Sequence, residues 1–115
     1  MDNIKVRVDK PWGYEEIYSV GKILFIKKGR RLSLQYHKVK WERMYLWAGE
    51  ILVTIGATIH HLLPHCEPIE IEPGTIHRVE ALEDSIIIEL STGELDDIVR
   101  ISDDFGRKSS ENTIR

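Results

Sequence analysis

Short runs of β-branched and aromatic residues, each closed by Gly, Pro or an acidic pair, recur at intervals of roughly eight to twelve positions, as in sandwiches and barrels. The runs fall near Lys5–Val8, Tyr14–Val20, Lys22–Lys27, Arg31–His37, Glu42–Ala48, Ile51–Ile55, Thr58–Leu63, Ile69–Ile71, Thr75–Ala81, Ser85–Leu90 and Asp97–Ile101. Pro11-Trp12-Gly13, Lys28-Gly29, Gly49-Glu50, Gly56, Pro64, Pro73-Gly74 and Glu83-Asp84 supply reversals between them. No segment keeps a helical period over about eleven residues or more. The spacing therefore predicts an all-β fold.

With 115 residues the chain has material for one domain, 1–115, with a core over about 10–107 and a polar tail at 108–115. A formal net charge of −3 with dispersed Lys and Arg offers no basic stripe for nucleic acid. No apolar run approaches the roughly 20 residues that span a bilayer, and the first residues lack the apolar core of a secretory signal. Cys66 is the single cysteine, so no intrachain disulfide can form and a cytoplasmic setting is expected.

Alternation along Arg31-Leu32-Ser33-Leu34-Gln35-Tyr36-His37 places Arg31, Ser33, Gln35 and His37 on one face, a polar row where a core is due. If Lys38 to Trp41 turn the chain, Glu42 begins the inward row Glu42, Met44, Leu46, Ala48. An inward carboxylate loses several kcal/mol of hydration unless it is compensated, and a metal cation compensates it. His77 follows Pro73-Gly74 and can complete a set of two imidazoles, one carboxylate and the Gln35 amide oxygen. Such a nitrogen and oxygen set suits one divalent ion, zinc first, with manganese, nickel, cobalt or iron compatible.

The stretch from Gly29 through Gln35, His37 and Glu42 to Gly49 resembles the first cupin motif in every spacing, with Gln35 where many cupins have His. Gly74 and His77 resemble part of the second motif; its Pro is displaced by one and its Asn is absent. Lys10-Pro11-Trp12-Gly13, Arg31 to His37, His77-Arg78, Asp96 to Arg100 and Asp103 to Arg107 look like the cupin domain of type II mannose-6-phosphate isomerases. The resemblance implies a single-domain cupin, a double-stranded β-helix or jelly-roll barrel. It also implies a metal-dependent aldose–ketose isomerase acting on a small phosphorylated sugar. Phosphomannose isomerases of unrelated chain order resemble this site in their Gln, His, Glu and His around zinc. The guanylyltransferase domain of many type II enzymes is not found in these residues, and nucleotidyl transfer is not expected of them.

An isomerase needs a base at the carbon-bound proton. Glu89, the lone acid closing Ser85-Ile86-Ile87-Ile88-Glu89, is the candidate, facing either the barrel mouth or solvent. Arg31, in phase with the ligands, is a candidate for the substrate phosphate; the alternative is a structural pair with an acid such as Glu89. His60, His61, His65 and Cys66 lack metal-site spacing and read as a surface hairpin. Trp12 reads as packing, and outward Tyr45 and Trp47 suit a homodimer contact. Two other functions are compatible with the pattern: a non-catalytic sugar- or nucleotide-sugar-binding module, and a metal-dependent oxygenase.

Overall fold

The computed structural model describes residues 6–18, 21–92 and 97–109. Among these residues there is no helix, and eleven strands account for the regular structure. They are β1 (Val6–Lys10), β2 (Gly13–Tyr18), β3 (Gly21–Ile26), β4 (Leu34–Tyr36), β5 (Glu42–Ala48), β6 (Ile51–Ile55), β7 (Thr58–Leu62), β8 (Ile69–Ile71), β9 (His77–Ala81), β10 (Ser85–Ser91) and β11 (Val99–Ser102). Each expected run overlaps one of them, with ends that differ by up to three residues. Lys5, Ser19 and Val20 lie outside the described residues.

The strands form a six-stranded sheet, β1-β2-β3-β10-β5-β8, and a five-stranded sheet, β11-β4-β9-β6-β7, antiparallel throughout. From β3 onward the chain changes sheet at every connection except β6 to β7, which closes the two layers around one interior. This is the jelly-roll arrangement of a cupin. Gly49 makes one corner: it sits at φ 98°, where a Cβ would lie 2.3 Å from Ser85 Oγ. Only glycine fits that reversal.

Alternation then decides what fills the interior. Leu24 and Ile26 of β3, Met44 and Leu46 of β5, Ile51 and Val53 of β6, Val79 and Ala81 of β9, and Ile87 of β10 form one apolar cluster. Trp12 joins them at 2% exposure, as expected of a packing residue. The same inward rows end in polar residues: Lys22 begins that of β3, Glu42 that of β5 and His77 that of β9, while Glu89 ends that of β10. Because neighbouring strands run antiparallel, those ends coincide in space. Glu89 stands opposite Lys22 on one side and Met44 on the other.

Arg31 departs from the expected phase. The run Arg31 to His37 is not one strand: Arg31 makes an isolated bridge to Glu80, and β4 begins only at Leu34. Across this break Leu32 turns inward against the core, which sends Arg31 outward. Its guanidinium donates to both oxygens of Asp104 at 2.6 and 2.9 Å, so its acid partner is Asp104 and not Glu89.

Candidate metal centre

Gln35, His37, Glu42 and His77 are all buried, at 8, 1, 2 and 3% exposure. Gln35 on β4 is the direct register partner of His77 on β9, and cross-strand partners share a face, so both look into the barrel. His37 follows β4, and Glu42 opens β5 after the chain crosses to the other sheet.

The two imidazoles are aimed by their outer nitrogens. His37 Nδ1 lies 2.6 Å from the Asp97 carbonyl and His77 Nδ1 lies 2.8 Å from the Thr75 carbonyl. A carbonyl only accepts, so each Nδ1 carries the proton and each Nε2 presents a lone pair inward. The Nε2 atoms lie 3.4 and 3.3 Å from the same oxygen, Glu42 Oε1. His37, Glu42 and His77 thus offer three ligand atoms within 4.8 Å of one another. Ser33 donates to the Gln35 amide oxygen at 2.5 Å, fixing which end of the amide is an acceptor.

The arrangement is incomplete as a set of hydrogen bonds. His37 Nε2, Glu42 Oε2 and Glu89 Oε2 are buried without a hydrogen-bond partner. Buried polar atoms left in this state cost roughly 1–3 kcal/mol each. A divalent cation held by His37, Glu42 and His77, with Gln35 adjacent, would satisfy His37 Nε2 and Glu42 Oε2, so the residues fit one.

Burial opposes the charge on Glu42, but the imidazoles of His37 and His77, when Nε2 is also protonated, and the Lys40 ammonium hold its carboxyl well below the ordinary range. Glu89 moves the other way. Burial, reinforced by the Glu42 charge and only partly offset by Lys22 and Lys40, pushes it up to about 7. It faces the interior, at 4% exposure. Its strand is packed closely here: a Cβ on Gly21 would lie 1.9 Å from the Glu89 carbonyl oxygen.

Several residues of this region escaped the sequence reading. Lys40, expected in a turn, is 1% exposed, with Nζ 3.4 Å from Glu42 Oε2 and 3.7 Å from Glu89 Oε2. Lys22 lies 3.3 Å from Glu15 Oε2. Both Lys22 and Glu15 could have been found by the signal that exposed Glu42, a charge in an inward row. Asp97 accepts backbone N–H bonds from Lys38, Val39 and Lys40 at 3.1, 2.7 and 3.1 Å, pinning the segment between two ligands. Burial raises its pKa, but these three donors outweigh that and hold it below the ordinary value. His60, His61 and His65 are exposed, and His61 lies 2.5 Å from Glu50. They stand apart from the centre.

An all-β, two-sheet barrel with an inward His, Glu and His is a cupin. Solved structures agree: the capsular polysaccharide assembling protein CapF from Staphylococcus aureus matches with a TM-score of 0.73 at 15% identity, over 84% of this chain and 34% of that one. An RmlC-like cupin from Shewanella frigidimarina matches with a TM-score of 0.64 at 16% identity, over 77% of this chain and 85% of that one. Residues 2–103 match the family described as mannose-6-phosphate isomerase C-terminal, and the chain belongs to that family. The mannose-1-phosphate guanylyltransferase of Escherichia coli K12 is 37% identical over 114 residues, which is 87% of this chain but 23% of that protein. The chain thus spans about a quarter of the length of such relatives. Among the described residues no helix is long and apolar enough to cross a membrane.

Proposed function

We propose that the chain is a metal-dependent isomerase that interconverts aldose and ketose forms of a phosphorylated hexose, with zinc at His37, Glu42, His77 and Gln35. The observation that carries this reading is Glu89, a buried carboxyl beside the ligand cluster, in a chain of the mannose-6-phosphate isomerase C-terminal family. When bound, the metal would polarise the sugar oxygens and favour an enediol-like charge distribution.

The chain's own groups then have definite tasks. Glu89 takes the hydrogen from C2 as a proton and returns it to C1, while the O2 hydrogen ends on O1, so the sugar is isomerised without net loss. A carboxyl brought up to about 7 is suited to accept and release a proton near neutral pH. Lys40 Nζ, 3.7 Å from Glu89 Oε2, orients that oxygen and counters its charge.

The test is turnover of mannose 6-phosphate by the purified chain, metal-free and with Zn²⁺, Mn²⁺, Ni²⁺ or Co²⁺ restored. Metal-dependent conversion is expected, and Glu89→Gln should lower kcat by at least about 100-fold at unchanged metal content. Absence of conversion with every metal overturns the reading. Binding of the sugar without conversion would favour a second one, a non-catalytic sugar-binding module.

A further inference from the structure

With Arg31 committed to Asp104 outside the barrel, the cations that do reach the cavity are different ones. The cavity that touches Gln35, Glu42 and Glu89 is also lined by Lys10, Arg100 and Arg107. Arg100 is placed by register: it is the direct partner of Gln35 across the β11–β4 pair. Its side chain therefore starts about one strand spacing, roughly 5 Å, from a ligand of the centre. Lys10 ends β1, and Arg107 follows the turn that leaves β11.

The three cations are compensated unequally. Arg107 is paired, since Asp103 accepts from its Nε and Nη2 at 3.0 and 2.9 Å. Lys10 has only Glu15, at 3.7 Å, and Glu15 is shared with Lys22. Arg100 has no ion pair with a carboxylate among the described residues: Nη1 donates to the Lys108 carbonyl, and Nε is buried with no partner. Burial, followed by the neighbouring Arg107 charge, lowers its pKa. Asp103 and Glu15 offset Arg107 and Lys10, which leaves the Arg100 guanidinium as the cation of the three without a carboxylate of its own among the described residues. All three line the same cavity as Gln35, Glu42 and Glu89.

We propose that Lys10, Arg100 and Arg107 form an anion subsite for the phosphate of a phosphate monoester whose sugar end reaches the metal centre. Two guanidinium groups and one ammonium present the planar and point donors that phosphate oxygens accept. The subsite selects the phosphorylated sugar over the neutral one. Only the placement of the sugar end rests on the isomerase reading; the anion subsite stands on its own residues.

The experiment titrates the full-length, zinc-loaded chain with mannose 6-phosphate, inorganic phosphate and mannose, reading affinity by calorimetry and metal content by elemental analysis. Mannose 6-phosphate should bind at least about 10-fold more tightly than mannose, inorganic phosphate should compete with it, and both should weaken as salt is raised. Arg100→Gln should weaken the phosphorylated ligand at least about 10-fold, with metal content unchanged. Lys10→Gln, at a half-exposed position, should weaken it less and carries the test if Arg100→Gln fails to fold. Unchanged affinity in the folded variants overturns the subsite, as does phosphate binding that disappears in His77→Ala but not in Arg100→Gln, since the anion would then sit on the metal. Phosphate binding sensitive to Arg100 without turnover supports the subsite and sinks the isomerase reading. Turnover with binding indifferent to both residues does the reverse.

Discussion

The two ends of the barrel interior are built on the same strands and obey opposite rules. At one end Ile26, Leu46, Ile51, Val53, Ala81 and Ile87 pack with almost no exposure. At the other, Glu15, Lys22, Gln35, His37, Lys40, Glu42, His77 and Glu89 are as deeply buried. The contrast is sharp within single strands: Ile87 and Glu89 are two residues apart on β10, and Val79 and His77 two apart on β9. Two residues preserve the face of a strand and shift position by about 7 Å along it. The apolar end contributes to stability by removing surface from water. The polar end opposes folding through desolvated charges, and a bound cation would offset that opposition. Stability and chemistry are thus separated along the barrel axis.

The separation can be broken most strongly at the ligands. His77→Ala should lower metal affinity by more than about 100-fold by elemental analysis of dialysed protein, since losing a ligand should exceed the 10–100-fold cost of losing an outer-shell partner. The apolar cluster should persist in that variant, seen as an unchanged far-ultraviolet dichroism spectrum. Retained metal would mean that another group closes the site.

Ile87→Ala tests the opposite end. It should cost roughly 2–5 kcal/mol in urea unfolding, with the metal content per folded molecule unchanged. Loss of metal would show that the two ends are coupled through β10.

A smaller effect is expected at Asp97, whose side chain holds the segment between His37 and Glu42. Asp97→Ala should weaken metal binding by roughly 10-fold, the scale of a group that orients a ligand without touching the ion. Metal competition with a chromophoric chelator reads this directly. An unchanged affinity would make Asp97 a loop clasp only.

The smallest effect lies outside both ends. Arg107 holds the Asp103 carboxyl below the ordinary aspartate value, and Arg31 does the same for Asp104. Their folded-state values are depressed, so the stability they contribute is present above about pH 4 and is lost as pH falls through the folded values. Asp103→Asn should therefore flatten the acid limb of melting temperature against pH between about 3 and 5. An acid limb unchanged in that variant would assign the loss to the buried carboxylates.

Much of this was legible in the chain. Pattern and turn residues located every strand, because a period of two with Gly and Pro punctuation is a local property. Glu42 was legible as a charge interrupting an apolar row, and spacing tied it to His37 and His77. Lys40 was not, because a lysine beside Lys38 and Trp41 reads as a turn residue until the chain's crossing between sheets folds it under. Arg31 was assigned the wrong face because alternation was carried through a break between its bridge to Glu80 and the start of β4.

The sequence by itself therefore determined the all-β class, the faces of its regular strands and the identity of the four inward ligand candidates, all consequences of side-chain period and composition. Only the tertiary structure decided which cations share the cavity with them. Arg100 meets Gln35 across 65 residues of chain and Asp97 meets His37 across 60, through pairings set by the closing of two sheets. No local pattern encodes such meetings, because a strand's register depends on its partner as much as on itself.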